Sequence, residues 1–247
     1  MHIPSSMMEG AICPVTAGVS IAAIGAAAYH AYKAEKKPSI QYFFSITTLV
    51  FVLQMLNYPV QNGTSGHVIG AVLAMALLGI PFGVLSVSLV VIVQAVFFAD
   101  GGISVLGANI LNMALVAAPI MWIARKFIKK ESTAISKGVI LGLTAWASVV
   151  IASLVLSAEL ALAGVTDFAT VASAMVGVHA LIGIGEGVIT AGFVLAMLPE
   201  VSSTAFRKAV ALPVMLAIFI GLILSPLAST YPDGLEWVAE QHNIATQ

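Results

Sequence analysis

The order of hydrophobic and polar positions divides the chain into long apolar stretches set off by short polar breaks. The apolar runs fall at about 12–33, 40–60, 66–80, 84–99, 105–124, 138–163, 170–198 and 209–229. Most of them approach or exceed the roughly 20 residues that a helix needs to cross a hydrocarbon core. Two are shorter, 66–80 and 84–99, and Gly79-Ile80-Pro81-Phe82-Gly83 separates them. That pair reads either as two thin or tilted crossings or as a re-entrant hairpin buried inside the bundle. The pattern predicts an all-α integral membrane protein with about seven to eight transmembrane segments. Residues 1–229 are expected to form one membrane-embedded domain, and 230–247 a short C-terminal tail.

Composition agrees, with 60% hydrophobic residues, 9% charged residues and a mean hydropathy of +1.06. A soluble domain carries roughly 25% charged residues because its surface faces water. The partner expected for most of this surface is therefore the lipid bilayer. Charge placement then sets orientation. The ten basic residues fall in three clusters: Lys33, Lys36 and Lys37; Arg125, Lys126, Lys129, Lys130 and Lys137; Arg207 and Lys208. With the N-terminus outside, all three clusters lie on the cytoplasmic side of a cell (inner) membrane, as the positive-inside bias requires. Glu9, Asp100, Asp167, Asp233, Glu236 and Glu240 occupy the opposite loops, and both termini are expected to be extracytoplasmic. A hairpin and a pair of crossings at 66–99 give the same parity.

A formal net charge of −1 offers no basic field for nucleic acid, and one cysteine, Cys13, leaves no cysteine pair for a disulfide or a metal motif. The sequence has no GxxxxGK[ST] loop, so ATP-driven work would need an ATPase on another chain. No Lys or Arg precedes the first apolar run, so the N-terminus does not read as a signal peptide. Ala22/Ala26, Ala23/Ala27 and Gly183/Gly187 are small residues four apart, a spacing that lets helices approach closely within this chain or against another subunit.

Candidate chemistry begins at Met1-His2-Ile3-Pro4. A free amine, the His2 amide nitrogen and the His2 imidazole Nδ1 close two fused chelate rings of five and six members. Three nitrogens then share a plane, and a fourth would complete the square-planar set suited to Ni²⁺ or Cu²⁺. The amine and amide must lose protons, so affinity falls as pH drops. His67 follows the polar stretch Asn57–Gly66 on the same side, either as that fourth nitrogen or as a hydrogen-bonded interfacial histidine. Within the membrane, His179 and Glu186 lie two turns apart on nearly one helix face. Such residues are a polar structural pair or a functional one. Asp100, Asn109 and Asn112 flank the connection after the fourth run and are candidates to surround an outer site. Met7, Met8 and Cys13 are soft ligands by type, with apolar packing as their ordinary role.

Met1-His2-Ile3-Pro4, Asn62-Gly63-Thr64-Ser65-Gly66-His67, Phe98-Ala99-Asp100-Gly101-Gly102 with Gly107-Ala108-Asn109, and His179 through Gly187 together resemble the NikM/CbiM family. These are substrate-binding (S) components of energy-coupling factor transporters for nickel or cobalt. Tyr231-Pro232-Asp233-Gly234-Leu235-Glu236-Trp237 is similar to a segment that follows the core in some members. The resemblance implies an S-component bundle with an additional N-terminal helix and a tail tucked into an outer-face site. It further implies Ni²⁺, or else Co²⁺, as bound substrate, held by Met1, His2 and His67, with Asn62, Thr64, Ser65, Asp100, Asn109, His179 and Glu186 around them. The implied partners are a coupling transmembrane subunit, two ATPase subunits and a small accessory membrane protein. Many members continue after Pro4 with Asp-Gly and an aromatic, where this chain has Ser5-Ser6-Met7-Met8-Glu9-Gly10, which bears on how the terminus is anchored.

Two other readings use the same residues. Gly63-Thr64-Ser65-Gly66 followed by His179 has the look of a rhomboid-like intramembrane serine protease, and a His179–Glu186 relay suits a stand-alone channel or secondary transporter. The chelate makes a prediction that separates it from both. One uncleaved residue ahead of Met1 displaces the amine, so a chain with such a stub should lose tight metal binding, read by equilibrium dialysis, while still inserting into membranes.

Overall fold

A computed structural model describes residues 1–61, 63–201, 206–242 and 244. Its helices are α1 (Ile12–Lys33), α2 (Ile40–Gln54), α3 (Ala71–Leu78), α4 (Ile80–Phe97), α5 (Leu106–Ile110), α6 (Ala117–Ala124), α7 (Ala134–Leu162), α8 (Phe168–Val201), α9 (Phe206–Phe219) and α10 (Gly234–Gln241). A π-turn over Leu111–Leu115 joins α5 to α6, so 106–124 is one apolar rod. Five helical stretches among the described residues are long and apolar enough to cross a membrane: 12–33, 80–97, 106–124, 134–162 and 168–197. Ile40–Gln54 and Val210–Leu224 are shorter apolar helices.

The helices form where the sequence supplies starts and denies alternatives. Ser39 and Thr133 accept from the main-chain N–H three residues on, in Tyr42 and Ser136, and so cap α2 and α7. Long α7 and α8 pack against each other along a seam of small residues. A Cβ on Gly142 would lie 2.8 Å from the Gly187 carbonyl oxygen, and the reverse holds for Gly187, so these backbones touch as only glycines allow. The Gly183/Gly187 pair is thus used inside the chain, whereas Ala22 and Ala26 are exposed on α1.

The run at 66–99 resolves into two unequal limbs. The ascending limb is α4, a full-length span; the descending limb holds only α3, whose eight residues extend about 12 Å. Gly79, at φ 93°, turns the chain between them, and Gly83 then packs directly on the Met75 backbone. The rest of the descending limb, residues 65–70, is non-helical and buried throughout. Main chain of that kind is tolerated at depth only if its polar groups find partners in the protein. Glu186 supplies them: its two carboxylate oxygens accept from the Ile69 and Gly70 N–H groups at 2.6 and 2.8 Å. Gln54 adds a donor to the Ile69 carbonyl at 2.7 Å.

At its upper end this limb forms a short antiparallel hairpin, Tyr58–Pro59 with Ser65–Gly66. The C-terminal segment adds alongside it through a parallel bridge between Ser65 and Asp233. Ser65 N–H donates to the Pro232 carbonyl and Ser65 Oγ to that of Tyr231, each at 2.8 Å, and Ser229 N–H donates to Asn57 at 2.8 Å. Asp233 then caps α10 in a reciprocal capping box with Glu236, and Leu235, Val238 and Ala239 are buried against the bundle.

Replacing Glu186 with Ala should leave two buried N–H groups without acceptors. The expected loss is about 3 kcal/mol or more, since hydrogen bonds to charged groups contribute about 1.5–3 kcal/mol each. Glu186→Gln, which keeps one acceptor, should lose less. Thermal unfolding in detergent micelles checks this, and a wild-type midpoint in both variants would mean that another contact holds residues 69–70.

Candidate metal site

The chain before α1 does not trail into solvent. Met1, His2 and Ile3 are buried at 4%, 7% and 0% exposure, because Asn109 treats Ile3 as a partner strand would. Its Oδ1 accepts from the Ile3 N–H at 2.8 Å, its Nδ2 donates to the Ile3 carbonyl at 3.1 Å, and the Gly102 N–H donates to that carbonyl at 2.8 Å. This clamp threads the terminus between the loop after α4 and the loop before α3. Met7 and Met8 then enter the core, and the Cys13 thiol donates to the Met8 carbonyl, which anchors the segment that departs from the Asp-Gly-aromatic pattern.

Within this frame the Met1 amine nitrogen lies 3.1 Å from His67 Nε2 and 2.5 Å from Asp233 Oδ2. The His2 and His67 rings stack with centroids 5.2 Å apart and planes inclined by 23°. His2 Nε2 faces Gln94 Oε1 at 3.1 Å, and His2 Nδ1 lies 3.2 Å from Asp100 Oδ1. A carbonyl oxygen and a carboxylate can only accept, so both ring nitrogens of His2 face acceptors, and a neutral ring donates to one of them and leaves its other nitrogen facing an oxygen. Among the described residues no three His, Cys, Asp or Glu side chains converge at metal-binding spacing, so an ion here would draw on the main-chain nitrogens.

The electrostatics favour neutral imidazoles beside a charged carboxylate. Burial, and then the neighbouring Met1 amine, lower the pKa of His2, and the same two causes lower His67 further. Burial works against the Asp233 carboxylate, but the Met1 ammonium together with the hydrogen bonds from that amine and the main chain holds Asp233 well below the usual range.

A cavity of about 10 Å³, the room of a single water or ion, lies among Met1, His67, His179, Ile182 and Asp233. His179 donates Nδ1–H to the Met175 carbonyl at 2.8 Å, which leaves its lone pair on Nε2. Glu186 stands apart on the Ile69 and Gly70 N–H groups and has no bond to His179. Thr64 and Ser65 bind the carbonyls of the C-terminal segment, so Ser65 Oγ is not paired with His179. Asn112 binds Glu159 rather than the terminus, and Asn62 lies outside the described residues.

Two residues around the amine escaped the sequence reading. Gln94 had a signal, a lone amide within the apolar run 84–99. Asp233 had one only for its local role, since Asp followed three residues later by Glu is a capping box, and nothing local links it to an amine 232 positions away.

Comparison with known proteins follows the same lines. A family profile described as the cobalt uptake substrate-specific transmembrane region, CbiM, matches residues 2–205, and a PDGLE domain profile matches 207–247. A putative fused nickel transport protein NikMN of Archaeoglobus fulgidus is 32% identical over 92% of this chain and 76% of its own. A putative metal transport protein of Haloquadratum walsbyi is 34% identical over 84% of this chain and 96% of its own. A crystal structure of a transition metal transporter superimposes with a TM-score of 0.73 at 26% identity, covering 84% of this chain and 97% of that one. A truncated transition metal transporter gives 0.71 at 28%, over 81% and 99%.

The Met1–Asp233 pair and the neutral histidines predict how docking of the C-terminal segment depends on pH. A histidine with a depressed folded-state pKa costs stability once pH falls below its unfolded value, roughly 6.5. A carboxylate with a depressed pKa contributes above its unfolded value, roughly 3.9, and loses that contribution as pH falls further. The protection factors of residues 231–239, taken against the intrinsic exchange rate at each pH, should therefore fall in two steps on acidification, and Asp233→Asn should abolish the lower one.

Proposed function

The chain belongs to the CbiM family of substrate-specific transmembrane proteins of cobalt uptake, and from that premise we propose that it takes up nickel, with cobalt as second substrate, through a site of four nitrogens. The nitrogens are the Met1 amine, the His2 amide, His2 Nδ1 and His67 Nε2. The observation that carries this reading is the 3.1 Å approach of the Met1 amine to His67 Nε2, 66 residues away, with the His2 ring stacked alongside. Gln94 supports it because its Oε1 can accept from Nε2–H when Nδ1 gives its lone pair to an ion, the usual task of a group behind a metal-bound histidine. Asp100 supports it too, because its carboxylate lies 3.2 Å from Nδ1 and adds negative charge where a cation would sit.

In this reading the ion enters from the outer face and sheds its water. The amine proton now shared with Asp233 and the His2 amide proton leave as it binds. A planar four-nitrogen set suits Ni²⁺, and the fused nickel transport relatives favour the same metal. Transfer inward then falls to a coupling transmembrane subunit and two ATPase subunits. A small accessory membrane protein joins them in this reading. Both termini lie outside a cell (inner) membrane, as the three basic clusters favour.

Protein with a native N-terminus, loaded with Ni²⁺, should hold one nickel per chain with a yellow, diamagnetic square-planar spectrum. His2→Ala and His67→Ala should both lose it, and affinity should fall with pH. An octahedral spectrum indifferent to His2, or tight stoichiometric binding retained by His67→Ala, would sink the four-nitrogen site.

A further inference from the structure

At the end of the bundle opposite Met1, a groove of about 400 Å³ opens between α6, α7 and the tip of α3. It is lined by Ala76, Met121, Arg125, Ile128, Lys137 and Leu141. Arg125 closes α6 and Lys137 lies in the first turn of α7, so two cations from different helices line the groove together with the apolar Ala76, Met121, Ile128 and Leu141. No carboxylate lines the groove. Among the described residues neither cation forms an ion pair, since the two ion pairs found there are both at the Met1 end. One turn before Lys126, Trp122 lies under its ammonium at 3.8 Å, and an aromatic with a polar cover marks the membrane–water boundary. The groove therefore sits where lipid headgroups are, with its apolar floor running into the bilayer.

We propose that this groove is a binding site for one anionic phospholipid, with the headgroup phosphate between Arg125 and Lys137 and an acyl chain along Met121, Leu141 and Ala76. The ligand class follows from the lining. Two unpaired cations call for an anion, and Arg presents a fork that fits phosphate oxygens. An aliphatic floor calls for a hydrocarbon that a free phosphate lacks, and basic pockets between helices on the cytoplasmic side recur as anionic headgroup sites. The neighbouring Lys129 and Lys130, exposed in the connecting turn, give only a diffuse field. The site touches none of the residues assigned to metal capture, so it stands independently of that reading. A bound lipid would brace α6 and α7 against the tip of α3, beside the Gly79 turn.

Native mass spectrometry of the full chain released from detergent, titrated with phosphatidylglycerol or phosphatidylcholine, tests the site. Wild-type protein should keep one phosphatidylglycerol per chain with at least tenfold preference over phosphatidylcholine, and inorganic phosphate should not displace it at millimolar concentration. Arg125→Ala with Lys137→Ala should abolish the preference, while Lys129→Ala with Lys130→Ala should retain it. Ala76→Leu, which fills the floor without altering charge, should weaken binding as well and keeps the test decisive if the double variant does not fold. Full retention by both the double variant and Ala76→Leu would overturn the proposal. So would equal loss in the Lys129/Lys130 variant, which means a diffuse surface charge, or full displacement by inorganic phosphate, which means a headgroup-only anion site. Lipid-independent capture of an acidic protein partner in the same groove would overturn it too.

Discussion

A main-chain N–H that leaves a helix inside a membrane has no water to accept from it, and the placing of this protein's site depends on how that demand is met at residues 65–70. The chain there is non-helical, and His67 within it reaches the Met1 amine before the chain enters α3. The Glu186 carboxylate, held on α8, makes the break affordable by accepting from two successive N–H groups, as the last turn of a helix would have done. Gln54 on α2 completes the same account for the Ile69 carbonyl. Three helices thus hold one short segment, and the position of His67 follows from theirs.

The second constraint is the buried N-terminus. An ammonium placed among apolar side chains is unfavourable unless it is paired. Here it meets Asp233, which arrives from the far end of the chain on a segment whose Tyr231 and Pro232 carbonyls accept from Thr64 and Ser65. The pairing ties the first residue, the broken limb and the C-terminal segment into one cluster. In the proposed four-nitrogen site the same pairing would keep a proton on the amine that a cation has to displace.

Charge at the two ends of the bundle is handled differently. At the Met1 end the buried ammonium has a partner, Asp233, inside the protein. At the other end Arg125 and Lys137 have none, and a hydrocarbon-floored groove lies between them. An interior can close its own electrostatic account, whereas a boundary surface leaves part of it to the lipid.

The sequence by itself determined the membrane setting, the long apolar spans and the chemistry available to Met1, His2 and His67. Each of these is written in local composition: hydrocarbon demands unbroken apolar runs, and a chelate of an amine, the next amide and its imidazole needs only adjacent residues. Only the tertiary structure decided that 66–99 is a broken limb and a full span, that Glu186 serves the main chain rather than His179, and that Asp233 and Gln94 stand beside the terminus. Hydrophobic runs record how much of a segment avoids water. They do not record which carboxylate will meet which amide, because that depends on the relative rotation and depth of helices more than a hundred residues apart.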